Sequence, residues 1–409
     1  MDYKAKLGRN IKSLMEYRND AWKCVRCGLC RMGDPEDVDG QDFIDNCPAG
    51  TTYGFELFYS AGKWDLIKCL TAEPPEIDEP TELMKKAIFT CTGCGRCQEV
   101  CNYMKGLEPM NAFQALKAYA IEKWGIKKEH NNLVQSILNY DNPWMAPRRT
   151  RAHWARKLDF KLKDATKEDV DILFFPGCNA SYVPEIVPTA RATANIMRSV
   201  GIDFGILGEK ERCCGSTAFR CGAFEMFEKY KKQNIEQLNS LGIKTMVTAC
   251  AGCHSTFSHN YAGDLDFEVV HVIEYVARLI DEGKIEFKNN LDMTLTYHDP
   301  CHIGRYGDIY EAPRKVLKAL PGVTFNEMKR IKQSSMCCGS GGGVKTAYPE
   351  MALSVASNRL DEAKEAAGAS TVVSCCPFCE INLGEAAKAR QDGTKVVDIM
   401  ELVEQAMKG

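Results

Sequence analysis

Ten cysteines in the later part of this chain fall into two sets of five with nearly the same spacing, and that repeat constrains the fold more than any other feature. Cys178, Cys213, Cys214, Cys250 and Cys253 are followed by Cys301, Cys337, Cys338, Cys376 and Cys379, each 123 to 126 residues later. The flanking residues repeat with them. DILFFPGCNASY from 171 answers to MTLTYHDPCHIGRY from 293, ERCCGSTAF from 211 to SMCCGSGGG from 335, and TMVTACAGC from 245 to TVVSCCPFC from 371. Self-similarity of this kind marks one module used twice. Cys375 falls opposite Ala249 and stands outside the pattern.

Between the cysteines the first copy alternates. VDILFFPG reads as a buried strand, VPEIVPTARATANIMRSVG as a helix, DFGIL as a short strand, AFEMFEKYKKQNIEQLNSLG as a helix and KTMVTA as a strand. The expected class is α/β for two modules, 168–290 and 291–409. Residues 1–146 read as a mainly α-helical ferredoxin-like domain, with MNAFQALKAYAIEKWG at helical spacing and a terminal glycine. Segment 147–167 carries Arg148, Arg149, Arg151, Arg156, Lys157, Lys161 and Lys163 without an apolar period, and reads as a basic, solvated linker. Length allows two or three domains.

The 21 cysteines do not fit a secreted disulfide scaffold. The chain is long, the count is odd, and MDYKAKLGRNIKSLMEYRND has no apolar leader. Cytosolic cysteines at regular spacing are metal ligands, so the expected location is the cytoplasm. No stretch approaches the roughly 18–20 apolar residues that span a bilayer. Attachment at the inner membrane face would have to go through a partner. A net charge of -3 argues against nucleic acid as a partner.

The N-terminal cysteines form two compact groups: Cys24, Cys27, Cys30 with Cys47, and Cys91, Cys94, Cys97 with Cys101. Three cysteines at a spacing of three aim their thiolates at one corner of a cubane, and the fourth of each run serves the other cluster. One [4Fe–4S] cubane is therefore expected on Cys24, Cys27, Cys30 and Cys101, and another on Cys91, Cys94, Cys97 and Cys47. Gly28 and Gly95 suit close backbone approach to sulfide. Zinc prefers paired CxxC or Cys/His sets that close at four ligands. In the later modules five thiolates exceed what one zinc or one cubane requires, so each is expected to hold a thiolate-rich iron–sulfur centre. Gly215 and Gly339 follow the cysteine pairs, where the backbone must turn against that centre. GSGGG at 339–343 lacks the spacing of a dinucleotide fingerprint and reads as a cluster-hugging or substrate-facing loop.

The five-cysteine pattern resembles the tandem CCG domain of heterodisulfide reductases. With the fused two-cluster domain, YHDPCHIGRY, APRKVLKALPGV, MCCGSGGGVK and CCPFC, nearly the whole chain is similar to the family of the heterodisulfide reductase D subunit. The resemblance implies two noncubane [4Fe–4S] centres, each a fused [3Fe–4S] and [2Fe–2S] unit, with a disulfide substrate between them. It implies an enzyme subunit that takes electrons through two cubanes from a flavoprotein, a hydrogenase-type subunit or a membrane cytochrome b. The alternative is a relay between a flavoprotein dehydrogenase and a quinone, or within an electron-bifurcating complex, without disulfide reductase activity. His298, His302, Arg305 and Lys345 flank the second set and are the candidate proton donors and anion clamps. Cys69 and Cys221 read as small apolar residues.

Overall fold

The computed structural model describes residues 11–32 and 45–408. Two fully parallel sheets organise the later part. The first, in order β1-β3-β2-β4-β5, contains Lys163–Asp164 (β1), Ile172–Phe175 (β2), Phe204–Ile206 (β3), Thr245–Thr248 (β4) and Glu268–His271 (β5). The second, in order β7-β6-β8-β9, contains Met293–Tyr297 (β6), Val323–Phe325 (β7), Thr371–Ser374 (β8) and Lys395–Asp398 (β9). The orders β3-β2-β4-β5 and β7-β6-β8-β9 are the same, so the repeat in the cysteines is a repeat in the backbone. These strands are short apolar runs because helices cover both faces of a parallel sheet.

The modules pack as pseudo-twofold partners. Helix Val187–Ser199 lies on helix Ile399–Met407, and helix Val272–Asp281 on helix Glu311–Ala319. Each pair joins the helix after a module's first core strand to the helix after the other module's last, the reciprocity of an isologous interface. One apolar core runs through both, from Phe174, Ile196 and Val276 to Leu295, Val372 and Leu402.

The N-terminal region is helical, as its pattern predicts. Pro109–Trp124 packs with Ser60–Leu70 and Glu82–Phe89, and Trp64 meets Phe113 edge-on at 5.3 Å between ring centres. The linker reading needs correction. Lys163–Asp164 pairs with β3 as an edge strand, Trp154 is buried against Phe174, and Arg151 is buried. Arg148, Arg149, Arg156 and Lys157 are exposed as expected. The composition of 147–167 hid two residues that the core of the first module needs.

Candidate functional site

All ten repeated cysteines lie beyond the carboxyl ends of parallel strands, where open α/β sheets place their sites. Cys178 follows β2, Cys213 and Cys214 follow β3, and Cys250 and Cys253 follow β4; the second module matches with β6, β7 and β8. The sulfurs run in one order in both. Cys178 touches Cys213, then Cys214, then Cys253, then Cys250. Cys301 touches Cys337, then Cys338, then Cys379, then Cys376. Gly215 and Gly339 have φ of 81° and 90°, and their N–H groups donate to Cys213 Sγ and Cys337 Sγ at 3.4 and 3.5 Å. Their missing side chains make room for the Phe227 ring and for Val355, so the crowding comes from the neighbouring helix. Five thiols in serial contact, at least four of them buried in each set, cannot all ionise without cationic charge among them, and iron–sulfur cofactors supply it. The donor set fits such a group.

The N-terminal cysteines converge as crossed sets. Burial pushes the Cys101 thiol up to about 12, and Cys30, Cys24 and Cys27 add to the effect. Burial likewise raises Cys47 to about 12; the Lys63 amine opposes this, and Cys94 and Cys91 reinforce it. Cys97 faces Cys30 and Cys101 as well as Cys91 and Cys94, so the two sets adjoin. Cys27 is exposed. Cys30, Cys47, Cys91, Cys94 and Cys97 line one small cavity.

The second set lies directly against the second module. Cys94 and Cys337 are electrostatic neighbours, and the Thr92 hydroxyl bonds Cys337. The glycines of GSGGG explain the approach. A Cβ on Gly341 would stand 2.5 Å from the Thr92 carbonyl oxygen, one on Gly342 would meet the Cys91 carbonyl, and one on Gly343 would meet His130 and Cys221. The loop hugs the Cys91–Thr92 loop on one side and lines a cavity on the other.

That cavity, of about 450 Å³, lies between the modules and the N-terminal domain. Cys301, Cys337, Cys338, Cys376 and Cys379 all line it, whereas the first module contributes Ser216, Thr217, Arg220 and Gly252 but none of its cysteines. An arginine stands on the first set. Arg151 Nη2 donates to Cys178 Sγ at 3.3 Å and to Glu211 at 2.6 Å. Burial works against the Arg151 charge, but Cys178 and Glu211 outweigh it.

The four catalytic candidates part company here. His302 and Lys345 line the cavity. His302 Nε2 is buried and without a hydrogen-bond partner, and burial holds the ring neutral. Lys345 Nζ reaches Asn382 at 3.0 Å and Glu385 at 2.5 Å. Arg305 is not a free clamp. It donates to the carbonyls of Gln333 and Cys94 at 2.8 and 3.1 Å and to that of Ser335, tying the Cys94 loop to the module. His298 lies behind the cavity wall, where its Nδ1 accepts from Arg359 Nε at 3.3 Å; its remaining nitrogen faces Cys338 and Cys379. Sequence reasoning grouped these four by nearness to cysteines, and only the fold separates the lining residues from the framework.

Sequence reasoning also missed Lys117. Its buried amine donates to the carbonyls of Cys91, Arg220 and Gly342 at 2.9, 3.1 and 3.1 Å, one from each of the three parts. A lysine inside an otherwise apolar helical stripe was the available signal. Cys375 bonds the Tyr297 hydroxyl at 3.0 Å, which keeps it outside the sulfur chain as the repeat implied.

Comparison with known proteins agrees with this architecture. A cysteine-rich domain model, CCG, matches 172–258 and 295–384, and a 4Fe-4S dicluster domain model matches 20–104. The chain is 35% identical to the D subunit of the dihydromethanophenazine:CoB–CoM heterodisulfide reductase of Methanosarcina mazei, over 94% of this chain and 93% of that protein. The Methanosarcina barkeri counterpart is 32% identical over 98% and 96%. The EtfAB:quinone oxidoreductase of Syntrophomonas wolfei is 26% identical over 95% of this chain and 58% of its own length.

Proposed function

The chain belongs to the family of the heterodisulfide reductase D subunit, and from that premise we propose that it takes electrons at two N-terminal cubanes and reduces a disulfide in the cavity beside the second module. The support is a juxtaposition: the cavity opens onto all five cysteines of the second module, and the cubane loop at Cys91 and Cys94 abuts the same cysteines. Cys24, Cys27, Cys30 and Cys101 would hold one cubane, and Cys91, Cys94, Cys97 and Cys47 the other. Each five-cysteine set would hold a noncubane [4Fe–4S] centre. When bound, these groups supply one-electron carriers in series and an iron site that accepts thiolate sulfur.

The chain's own residues set the geometry. Lys117, Arg305 and the glycine loop fix the cubane loop against the second module. His302 is the proposed proton relay, since its unpartnered Nε2 belongs to a lining residue. Trp144 and Met145 border the cavity. The electron donor is a partner protein with its own flavin, haem or hydrogenase-type centre. No helix among the described residues is long and apolar enough to cross a membrane, so a site at the inner membrane face would be reached through that partner. A relay to quinone is the second reading, favoured by the alignment with the quinone oxidoreductase along 95% of this chain.

The deciding experiment is anaerobic purification with iron analysis, then reduced viologen as donor and a panel of disulfides as acceptors, beginning with the coenzyme M–coenzyme B heterodisulfide. Turnover by fully loaded protein is expected. Full loading with no turnover of any disulfide would leave the relay.

A further inference from the structure

The N-terminal domain exposes apolar side chains that its own core does not use. Leu14–Tyr17 and Arg18–Trp22 form a continuous helical run whose inner face, Leu14, Tyr17 and Ala21, is buried on that core. Met15 and Trp22, seven residues apart, share another face and are exposed, Trp22 to 67%. Val25, 64% exposed, and Leu29 follow in the next loop. Four of the nine large apolar side chains exposed among the described residues thus fall within fifteen residues, which makes a patch rather than a scatter. The same stretch holds Cys24, Cys27 and Cys30, and Cys27 is exposed where every other cysteine is half-buried or buried. Arg26 takes a left-handed φ of 55°, rare for a residue with a side chain, and its guanidinium meets Asp65 at 3.3 Å, so Val25 and Cys27 stand on a held turn. Lys68 Nζ lies 5.2 Å from the Trp22 ring centre and holds the ring as well.

Charge around these residues cancels. Lys23 meets Asp20 at 2.7 Å, Lys68 meets Asp65 at 3.1 Å beside Arg26, and Arg18 meets Glu73 at 2.8 Å. A surface that collects a diffusing, strongly charged carrier shows one sign of charge. This one offers apolar side chains among paired ions, the composition of a lasting subunit interface. Lipid binding would call for an excess of unpaired lysine and arginine, which these pairs do not provide.

Resting on the electron-entry reading above, we propose that Met15, Trp22, Val25 and Leu29 are the docking surface of the electron donor, and that this donor is a stably bound subunit presenting an uncharged apolar surface beside its own redox centre. Electrons then enter at the set of Cys24, Cys27, Cys30 and Cys101 rather than at the inner set. Cys97 of the inner set adjoins Cys30, and Cys94 adjoins Cys337, so a chain of neighbours leads from the patch to the second module. The step is a one-electron transfer in which the donor's cofactor is oxidised and no bond is made or broken.

The full chain, tagged and iron-loaded, is purified anaerobically from its native cells in ~1 M salt. Three forms are compared: the parent, Met15→Asp combined with Trp22→Glu, and Leu83→Asp, which alters an exposed apolar residue on helix Glu82–Phe89. The parent and Leu83→Asp are expected to retain, in equal amount, a second protein carrying haem, flavin or iron of its own. The double variant should lose it at least ~10-fold, with the cubane EPR spectrum and viologen-driven turnover as in the parent. A partner kept by the double variant docks elsewhere and overturns the proposal. A partner held only at low salt makes the contact ionic and overturns its chemistry. A parent without any cofactor-bearing protein, whether alone or paired with a second copy of this chain, overturns it too. Viologen bypasses the patch, so an absence of disulfide turnover in all three forms would remove the disulfide reading and leave the docking result standing.

Discussion

The two modules share strand order, sulfur order and glycine position, yet a cavity is lined by the cysteines of one and an arginine stands on the sulfur of the other. In the first, GSTAF leads straight into helix Ser216–Cys221, and Arg151 with Glu211 closes over Cys178. In the second, the corresponding residues are GSGGG, and the three glycines admit the Cys91–Thr92 loop and His130 while leaving a cavity against all five cysteines. A duplicated fold supplies two equivalent sites, and what docks on each decides their use. The Cys91–Thr92 loop of the N-terminal domain abuts the second module's glycine loop, and in the function proposed above electrons and substrate would meet there. The first module keeps a cation on its sulfur instead.

The largest expected effect tests that division of labour. Cys337→Ser should remove about four iron atoms per chain, spare the cubane EPR signals, and lower viologen-driven disulfide reduction at least ~100-fold. Cys213→Ser, its counterpart, should remove the same iron with a smaller loss of turnover, because the cavity does not touch Cys213. Equal losses would make the modules equal partners in the chemistry.

The docking itself can be broken at Lys117. Lys117→Met should leave three buried carbonyls without a donor and cost about 3 kcal/mol or more, read as a lowered thermal midpoint of the iron-loaded protein. An unchanged midpoint would mean that the three parts do not depend on this junction.

His130 gives the same junction an acid limit. Burial lowers its pKa to about 4 from an unfolded value near 6.5, and its Nε2 contacts the Gly343 carbonyl at 3.1 Å. Between these values the unfolded chain binds the proton and the folded chain does not. Stability is therefore full above about pH 6.5 and falls toward pH 4, by up to ~3 kcal/mol from this group. Denaturant midpoints across that window should drop less for His130→Gln than for the parent protein.

The smallest effect concerns the first module. A guanidinium hydrogen bond to a ligating sulfur favours the reduced, more negative state of the centre it serves. Arg151→Ala should shift the first module's potential downward by on the order of 100 mV and leave the second's alone, as read by EPR-monitored titration. A shift at both centres would mean that Arg151 acts through the shared core.

Much of this was legible before any fold. The repeat of five cysteines, the crossed N-terminal sets and the strands before each cysteine group follow from spacing and alternation, because ligand geometry and strand burial leave local, periodic marks. Other equivalences were not legible. His271 and Asp398 cap corresponding helices, accepting from Ile273 N at 3.3 Å and Met400 N at 2.7 Å, with no likeness in sequence.

The sequence by itself determined which residues hold sulfur in common and how often the module recurs. Only the tertiary structure decided that Arg151 leaves the linker for Cys178, that Arg305 and His298 belong to the framework while His302 lines the cavity, and that Lys117 joins three parts. Those outcomes depend on which surfaces the fold brings together, across 27 residues of chain for Arg151 and Cys178 and 225 for Lys117 and Gly342. A buried charge is tolerated only where distant backbone or a distant partner satisfies it, and no local pattern records that.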